Sequence, residues 1–304
     1  MEQRFYGVDK LDSNSIRNSR PMPLPKGVFF VKPDFFDVAH GINPHMLDKN
    51  GTPNKVDRDL AYQQWQALVN VYRELGLETK VFEAKSACPD MVFCANQSFP
   101  YLDEQSNPAA LLCNMANDQR QEEVESIAQS LREEGIRLQP LPKREPTSLF
   151  EGMGDALWVP GRRFVLGGFG FRTHKDIYRY IHEIIDAPIT LFDLRQPKFY
   201  HLDTCLSILD ENSVLACKEA FLEEDWQLIS TLFSQVIEVP MEEADSPGFA
   251  CNAHCPDTKH VILQAGNPVT EEKLKNANFT PIPVETGEFI KSGGSVFCMK
   301  QILF

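Results

Sequence analysis

A cysteine close to the C-terminus is the first residue whose surroundings suggest chemistry. Cys298 follows a Ser-Gly-Gly stretch in the segment SGGSVFCMKQILF. Glycines allow a backbone or a ligand to approach closely, so a thiol placed here could act as a nucleophile. The position equally suits a small core residue, because free cysteine is among the most buried residue types. The segment alone leaves both roles open.

A histidine and several acids could support such a thiol. His201 and Asp203 alternate in the segment FYHLDTCLSIL, and on a strand they would share one face and form an acid–base pair. A surface His-Asp pair is the alternative. Glu151 precedes a Gly-Met-Gly-Asp stretch, which is otherwise typical of a turn in which Asp155 caps a strand. These residue types together can supply a proton shuttle for a thiolate.

A third segment, CPDMVFCANQSF, places polar side chains in what looks like an apolar strand. Asp90, Phe93 and Asn96 lie there, and buried polar groups need hydrogen-bond partners, which could be a ligand or the backbone. So many acids would repel the oxyanion that develops on a peptide or an ester. They suit a cation, and a planar guanidinium with its fork of N–H donors matches paired carboxylates. The set favours attack by a thiol on a bound guanidinium.

Composition excludes several classes of partner. The chain has 304 residues, of which 42% are hydrophobic, and a net charge of −13, so nucleic acid and anionic membranes are poor partners. No apolar run approaches the ~18 residues of a membrane span. The polar N-terminus does not resemble a signal peptide, and the eight scattered cysteines are typical of reduced cytosolic thiols. We therefore expect a cytoplasmic protein without nucleic-acid or membrane partners.

The segment CNAHC at 251–255, with His260 nearby, offers ligands that zinc would accept. Its spacing is not that of a paired CxxC site, and a second half-site is missing. A strand that enters a Cys-Pro-Asp-Thr turn explains the segment better. We expect no metal site.

Short strand-like runs bounded by turn residues recur along the chain, with amphipathic helical stretches between them. The recurrence, roughly every 60 residues, predicts about five β-rich units, with the apolar C-terminus tied into a sheet. The helix at 57–76 should bury Leu60, Trp65, Leu68, Val69 and Tyr72, and Thr270 is a plausible N-cap for 269–278. The strand-like runs are 27–36, 91–99, 110–115, 155–169, 203–221, 248–266 and the C-terminal segment; the other helical stretches are 118–135, 173–185 and 224–236.

Six short motifs resemble those of the pentein superfamily, the guanidino-group-modifying enzymes. This superfamily includes arginine deiminase, dimethylarginine dimethylaminohydrolase, the amidinotransferases and the arginine dihydrolases. The resemblance implies one catalytic domain over 1–304, an α/β fold built as a five-bladed pseudo-symmetric α/β propeller, and no metal or organic cofactor. The motifs are Asn-Pro at 43–44, PDMVFCAN, EGMGDALW, FRT at 171–173, HLDT and GGSVFCMK.

The resemblance also implies roles for individual residues. Cys298 would be the nucleophile and His201 the general acid and base, with a covalent thiouronium as intermediate. Glu151 and Asp203 would hold the guanidinium nitrogens, and Arg172 would contact the amino-acid end of the substrate. The further residues expected to bind substrate are Asp90, Phe93, Asn96 and Asn43.

Two positions distinguish branches within the superfamily. Asn96 stands where deiminases and dimethylarginine hydrolases carry an acid, whereas the dihydrolase branch has an asparagine there and a second one that matches Asn43. This favours an arginine dihydrolase, which releases ornithine, carbon dioxide and two ammonia molecules. Several members also place a substrate-binding arginine in the stretch that Asn114, Met115 and Ala116 fill here, so one carboxylate contact is expected to be missing.

Other functions stay open at this stage. A dimethylarginine hydrolase or a deiminase would give citrulline, and an amidinotransferase would use an amine in place of water. A catalytically silent pentein would bind its ligand only, although binding alone does not need the thiol. The expected partner is a small cationic guanidino compound, and a homo-oligomer is left open.

Overall fold

The computed structural model describes residues 4–304, so residues 1–3 of the predicted domain lie outside the described residues. All the strands are short, with five residues or fewer. Over the described residues they are β1 (Phe5–Tyr6), β2 (Gly27–Val31), β3 (Glu78–Phe82), β4 (Ser98–Leu102), β5 (Pro108–Leu112), β6 (Arg137–Pro140), β7 (Ala156–Trp158), β8 (Val165–Phe169), β9 (Ile189–Asp193), β10 (Leu206–Ile208), β11 (Ser213–Ala216), β12 (Gln235–Glu238), β13 (His260–Gln264), β14 (Thr280–Val284) and β15 (Gln301–Leu303).

Helices of very different lengths connect these strands. The α-helices of the described chain are α1 (Arg58–Glu74), α2 (Asp118–Glu133), α3 (Ile177–Ile185), α4 (Glu223–Leu232), α5 (Met241–Ala244), α6 (Pro268–Asn276) and α7 (Gly287–Ile290). Short 3₁₀ turns lie at Pro44–Met46, Pro89–Val92, Pro146–Ser148, Gly152–Gly154, Pro197–Phe199, Leu202–Thr204 and Lys218–Ala220. Within residues 4–304, no helix is long and apolar enough to cross a bilayer.

Within residues 4–304 the strands form five small sheets that repeat one unit. In each unit two parallel strands are joined through a helix, and in four of the five a further strand pairs antiparallel with the first. In the fifth unit that antiparallel strand is reduced to a single bridge between His254 and Ile262. The predicted five β-rich units are therefore present. The parallel pairs are β2 with β3, β5 with β6, β8 with β9, β11 with β12 and β13 with β14.

Helix α1 shows how the apolar pattern positions an element. Asp57 caps its N-terminus by accepting a hydrogen bond from the backbone of Leu60 at 3.1 Å. Trp65 and Tyr72 are buried as predicted, with Leu68 and Val69. The prediction for Leu60 was wrong, since its side chain is 40% exposed. Five residues separate it from Trp65, which places it about 140° around the helix, away from the buried stripe.

The C-terminal residues close the fold. β15 pairs antiparallel with β2, with Gln301 opposite Phe29, so the prediction that this end is tied into a sheet is confirmed. Cys298 lies in the turn before the strand rather than on it. The N-cap of α6 is Asn267 rather than Thr270, because the helix already begins at Pro268.

Two strand assignments were wrong. Asp90 and Phe93 belong to a 3₁₀ turn and its C-cap, because Pro89 begins that turn and β4 starts only at Ser98. His201 and Asp203 do not alternate on a strand: His201 caps the turn Leu202–Thr204, and its carbonyl accepts a hydrogen bond from Thr204 Oγ1 at 2.6 Å. In both cases the polar residues lie in the segment just before an antiparallel strand, and these segments lie close together in the fold.

Candidate active site

The segments that precede the antiparallel strands meet at a small cavity, which unites most of the predicted residues. Glu151 and Asp203 lie directly behind its wall and contact His201 and Cys298. Other lining residues were not singled out from the sequence, among them Arg120 and Tyr200. The predicted residues that line it are Asn43, Asp90, Phe93, Asn96, Arg172, His201 and Cys298.

Cys298 presents its thiol between two polar side chains. Its Sγ lies 3.2 Å from Asp203 Oδ2, to which it donates, and accepts a hydrogen bond from Asn252 Nδ2 at 3.2 Å. Burial and the Asp203 carboxylate raise the pKa of the Cys298 thiol well above its ordinary value. Gly294 makes room for this arrangement, because a Cβ there would lie 2.4 Å from the Phe93 ring and 3.2 Å from Cys298 Cβ. Without ligand the sulfur is therefore a protonated thiol.

His201 lies between two carboxylates. Its Nδ1 is 3.0 Å from Asp155 Oδ2, and its Nε2 is 3.0 Å from Glu151 Oε2. Burial alone would lower the pKa of His201, but Asp155 and Glu151 outweigh it and raise the pKa to about 9. The ring is thus an imidazolium at neutral pH, and its Nε2 proton lies beside Glu151 without a hydrogen bond of good geometry among residues 4–304.

Asp155 is a residue whose contribution sequence reasoning missed. Besides His201, its carboxylate accepts from Thr173 Oγ1 at 2.7 Å and from the Leu202 backbone at 3.1 Å. These bonds fix the carboxylate, which in turn fixes the ring of His201. The motif EGMGD contains the signal, although the sequence suggested only a strand cap there.

Arg172 and Glu151 form a buried ion pair. Arg172 Nη1 lies 3.0 Å from Glu151 Oε2, and Nη2 donates to the Ile42 carbonyl at 2.9 Å. The guanidinium also lies over the Tyr200 ring, 4.9 Å from its centroid. Burial would raise the pKa of Glu151, but Arg172 and His201 outweigh it and lower that pKa. Glu151 is therefore ionised and oriented by two cations, and contact between Arg172 and a substrate stays a prediction.

Arg120 brings to the cavity a cation that the sequence did not predict. It projects into the cavity from the first turn of α2. Its Nε and Nη2 donate to the Glu123 carboxylate, and Nη2 also donates to the carbonyls of Asp90 and Phe93. Nη1 donates to Asn96 Oδ1 at 3.0 Å. These bonds leave one N–H of Nη1 for a ligand. No direct signal in the sequence marks Arg120, because a charged residue in the first turn of an amphipathic helix is usually exposed.

Two further acids offer acceptor oxygens. Asp203 Oδ1 is buried and meets no hydrogen-bond partner within the described part of the chain. Burial raises the pKa of Asp203 to about 6, against the lowering effect of His201. Asp90 accepts from Ser292 Oγ at 3.2 Å, and burial raises its pKa. A buried carboxylate oxygen without a partner indicates a position where a ligand can donate a hydrogen bond.

The two predicted asparagines are both buried and differently engaged. Asn43 accepts from the His45 backbone at 2.9 Å and donates to the Ser292 carbonyl at 3.0 Å, so it anchors the segment above the cavity. Asn96 accepts from Arg120 and donates to the Glu151 carbonyl at 3.2 Å. Among the residues that the structure describes, one N–H of Asn96 has no acceptor, so this neutral side chain can donate to a ligand.

The segment CNAHC does not assemble a metal site. Residues 4–304 contain no group of three His, Cys, Asp or Glu side chains arranged to hold a metal ion. His254 instead shares a hydrogen bond with the Tyr72 hydroxyl at 2.8 Å, and Cys251 and Cys255 are buried thiols. From this segment it is Asn252 that reaches Cys298.

Comparison with known proteins supports the fold and shows the family of the chain. The family model for eukaryotic N,N dimethylarginine dimethylhydrolase matches residues 36–304. The N(G),N(G)-dimethylarginine dimethylaminohydrolase of Mycobacterium tuberculosis is 33% identical over 280 residues, which cover 92% of this chain and 86% of that one. The bifunctional arginine dihydrolase/ornithine cyclodeaminase AgrE of Nostoc is 31% identical over 88% of this chain, but only 36% of its own length is matched.

Two solved structures are also similar to the fold of this chain. The substrate-bound N-terminal domain of the cyanobacterial arginine dihydrolase ArgZ superposes with a TM-score of 0.82 at 29% identity, over 91% of this chain and 97% of that one. The Pseudomonas aeruginosa dimethylarginine dimethylaminohydrolase complexed with citrulline has a TM-score of 0.73 at 22% identity, over 92% and 100%, and it supports the fold alone. The resemblance to the penteins is thereby confirmed, and the chain belongs to the dimethylarginine dimethylaminohydrolase family, whose named members here are hydrolases of guanidino groups.

Proposed function

We propose that the protein is an arginine dihydrolase, which converts L-arginine and water into ornithine, carbon dioxide and two ammonia molecules. The observation that carries this proposal is the Cys298 thiol in a cavity that holds both the His201 imidazolium and the neutral Asn96. The relatives named arginine dihydrolase and the substrate-bound structure support the substrate class. The expected partner is thus a small cationic guanidino compound.

Binding of the substrate uses acceptors at one end and donors at the other. The guanidinium would donate to Asp203 Oδ1, which lacks a partner within residues 4–304, and to the Asp90 carboxylate. The free N–H of Arg120 would reach the substrate carboxylate, which compensates for the neutral stretch at 114–116. Arg172 would add charge at the same end.

The first chemical step follows from the charge of the substrate. A bound guanidinium lowers the pKa of the Cys298 thiol, whose proton passes to Asp203 Oδ2 at 3.2 Å. The thiolate attacks the guanidinium carbon, and His201 gives its Nε2 proton to the leaving nitrogen. Ammonia departs, and a thiouronium remains on the sulfur.

The second step reverses the direction of proton transfer. Neutral His201 takes a proton from water, and the resulting hydroxide attacks the thiouronium carbon. The C–S bond breaks, Asp203 returns its proton to the sulfur, the former hydroxide oxygen loses its proton to solvent, and the product is the ureido compound citrulline. Glu151 and Asp155 stabilise the imidazolium that forms at this stage.

Asn96 would allow a second round on the ureido product. The ureido oxygen is an acceptor, which a carboxylate would repel and an amide N–H can bind. Attack of Cys298 on the ureido carbon expels the second ammonia and leaves an S-thiocarbamate. Water releases a carbamate from it, which loses carbon dioxide to give ornithine.

Dimethylarginine hydrolysis is the second candidate, because the matching family model and the Mycobacterium relative carry that name. In this reaction the same thiol attack expels dimethylamine and water then releases citrulline. The neutral Asn96 is the feature that favours the dihydrolase.

We also propose that the five sheets are the blades of a five-bladed pseudo-symmetric propeller, and that residues 1–304 form one domain. The repeated strand–helix–strand unit and the pairing of β15 with β2 support both statements.

A product assay tests the proposed function. The purified protein and its Cys298→Ala variant are incubated with L-arginine or asymmetric dimethylarginine, and ornithine, citrulline, ammonia and dimethylamine are quantified. Ornithine with two ammonia per arginine, absent with Cys298→Ala, is expected. Citrulline with one ammonia would identify a deiminase, and citrulline with dimethylamine as the main activity would favour the second candidate. No product from either compound would contradict the proposal.

A further inference from the structure

Asn252 is a buried side chain in direct contact with the nucleophile Cys298. It lies in the CNAHC segment of the fifth repeated unit, just before the bridge at His254. The other units contribute Asn96, Glu151, His201 and Cys298 from corresponding segments ahead of their antiparallel strands. Asn252, with no exposed surface, is the fifth unit's contribution.

The amide oxygen of Asn252 holds the loop that carries the nucleophile. Oδ1 accepts from the backbone N–H groups of Ser295 at 3.1 Å, Phe297 at 3.1 Å and Cys298 at 3.3 Å. Three donors around one atom identify that atom as the oxygen, because an NH₂ group could not accept from them. The orientation of the amide is thereby fixed, with Nδ2 on the opposite side.

The two N–H groups of Nδ2 have different partners. One donates to the Asp203 carbonyl at 3.0 Å, and the other to Cys298 Sγ at 3.2 Å. Every other polar contact of this amide among residues 4–304 is with the main chain, so the sulfur is the single side-chain atom to which it bonds.

Asp203 and Asn252, the two side chains that bond to Cys298 Sγ, have opposite effects on the stability of the thiolate. Asp203 Oδ2 accepts the thiol proton and, as an anion, disfavours a second negative charge on sulfur. The Asn252 donor is stronger toward a thiolate than toward a thiol, because hydrogen bonds to charged groups are stronger. Asn252 is thus the group that favours the reactive form.

We propose that Asn252 is a catalytic residue, whose amide N–H stabilises the Cys298 thiolate when it forms for attack and when it leaves the intermediate. This inference rests on the proposed function for its chemistry. The contact itself concerns only Cys298 and can be tested without a substrate.

The replacement Asn252→Asp separates this role from loop anchoring. A carboxylate can still accept from the three backbone N–H groups, but it cannot donate to sulfur when ionised. We expect the pH of half-maximal alkylation of Cys298 by iodoacetamide to rise by about one unit or more, and kcat to fall about tenfold to a hundredfold with KM within about threefold. Alkylation is quantified by mass spectrometry of the tryptic peptide 292–300, whose single cysteine is Cys298.

Asn267→Asp is the matched control. Asn267 is equally buried in the same unit, but its Nδ2 donates to the Gly248 and Gln264 carbonyls. This variant should keep the alkylation profile of the wild type. A folded Asn252→Asp variant with an unchanged profile and kcat would overturn the proposal and leave Asn252 a structural anchor.

A measurement on the unmodified side chain covers the case in which Asn252→Asp does not fold. In protein labelled with ¹⁵N-asparagine, an amide signal that is perturbed in Cys298→Ala should titrate with Cys298 in the wild type. The absence of such a signal would also overturn the proposal. Wild-type protein that turns over no guanidino compound, while Asn252→Asp still shifts the alkylation profile, would overturn the proposed function alone.

Discussion

At the scale of single residues, the cavity is a set of opposed charges whose protonation states follow from their neighbours. Asp155 and Glu151 raise the pKa of His201 to about 9, whereas burial raises the pKa of Asp203 to about 6. Cys298 is held as a thiol until a cation arrives. The same few contacts therefore set the protonation states of His201, Asp203 and Cys298.

These values predict the pH dependence of kcat/KM with L-arginine. Below about pH 6, Asp203 is protonated and accepts poorly from the guanidinium; above about pH 9, His201 has lost the proton that the leaving nitrogen needs. A bell-shaped profile with limbs near these values is expected. Asp155→Asn removes a carboxylate that raises the pKa of His201, so the upper limb should move to lower pH; an unmoved limb would contradict this assignment.

Asn96 determines the product in this account. With Asn96→Asp, a carboxylate would grip the guanidinium but repel the ureido oxygen, so the ratio of citrulline to ornithine should rise by about tenfold or more. The ratio is measured by chromatography of quenched reactions. Asn212→Asp, in an exposed turn that contacts Arg17, is the control that should keep the ratio. Unchanged ornithine output from Asn96→Asp would count against a role for this amide.

At the scale of elements, four of the repeated units place a functional side chain just before an antiparallel strand: Asn96, Glu151, His201 and Cys298. The 3₁₀ turns at Gly152–Gly154 and Leu202–Thr204 bring their segments together, and small residues permit the close approach. Gly154 is the clearest case, since a Cβ there would lie 2.4 Å from Asn96 Nδ2 and 2.9 Å from His201 Nδ1. The absence of a side chain at this position is part of the site.

Gly154→Ala should therefore impair catalysis. The added methyl must displace Asn96 or His201, and a displacement near 1 Å can cost about a hundredfold in rate. We expect kcat to fall by about that factor in a folded protein. Gly287→Ala is the control, because its Cβ would meet nothing nearer than Gln64 at 3.9 Å. Equal kcat for both variants would show that the site tolerates the shift.

At the scale of the whole molecule, the C-terminal strand links distant parts of the chain. β15 pairs with β2, and Gln301 Nε2 donates to the Ser98 carbonyl of β4 at 2.6 Å. Cys298 lies only a few residues ahead of this strand. The position of Cys298 therefore depends on the pairing of β15 with β2 and on the contact of β15 with β4.

Ile302 tests this dependence. Its side chain is buried in β15, and Ile302→Ala should lower the free energy of unfolding by about 2–5 kcal/mol through lost burial and a cavity. Val269→Ala, at a position 46% exposed, should change it by less than about 0.5 kcal/mol. Urea unfolding followed by circular dichroism measures both. Equal stability would indicate that β15 does not contribute to closure.

Part of this architecture could be predicted from the sequence. Turn residues and apolar periodicity located most strands and helices, and the motifs around Cys298, His201, Glu151 and Asp203 indicated that these side chains meet. Arg120 and Asn252 could not be found in this way, because their roles arise from contacts between units far apart in the chain. The alternation of His201 and Asp203 led to a wrong strand assignment, because two polar residues just before a strand can have the same spacing as two residues on one face of it.

The most direct test of the central claim is to trap the covalent intermediate on Cys298. Wild-type protein mixed with excess L-arginine is quenched in acid within milliseconds to seconds, digested, and examined by mass spectrometry. We expect peptide 292–300 to gain the mass of arginine less one ammonia, with a fragment ion that places the addition on Cys298. Steady turnover in the absence of any adduct on this peptide, or an adduct on another residue, would contradict it.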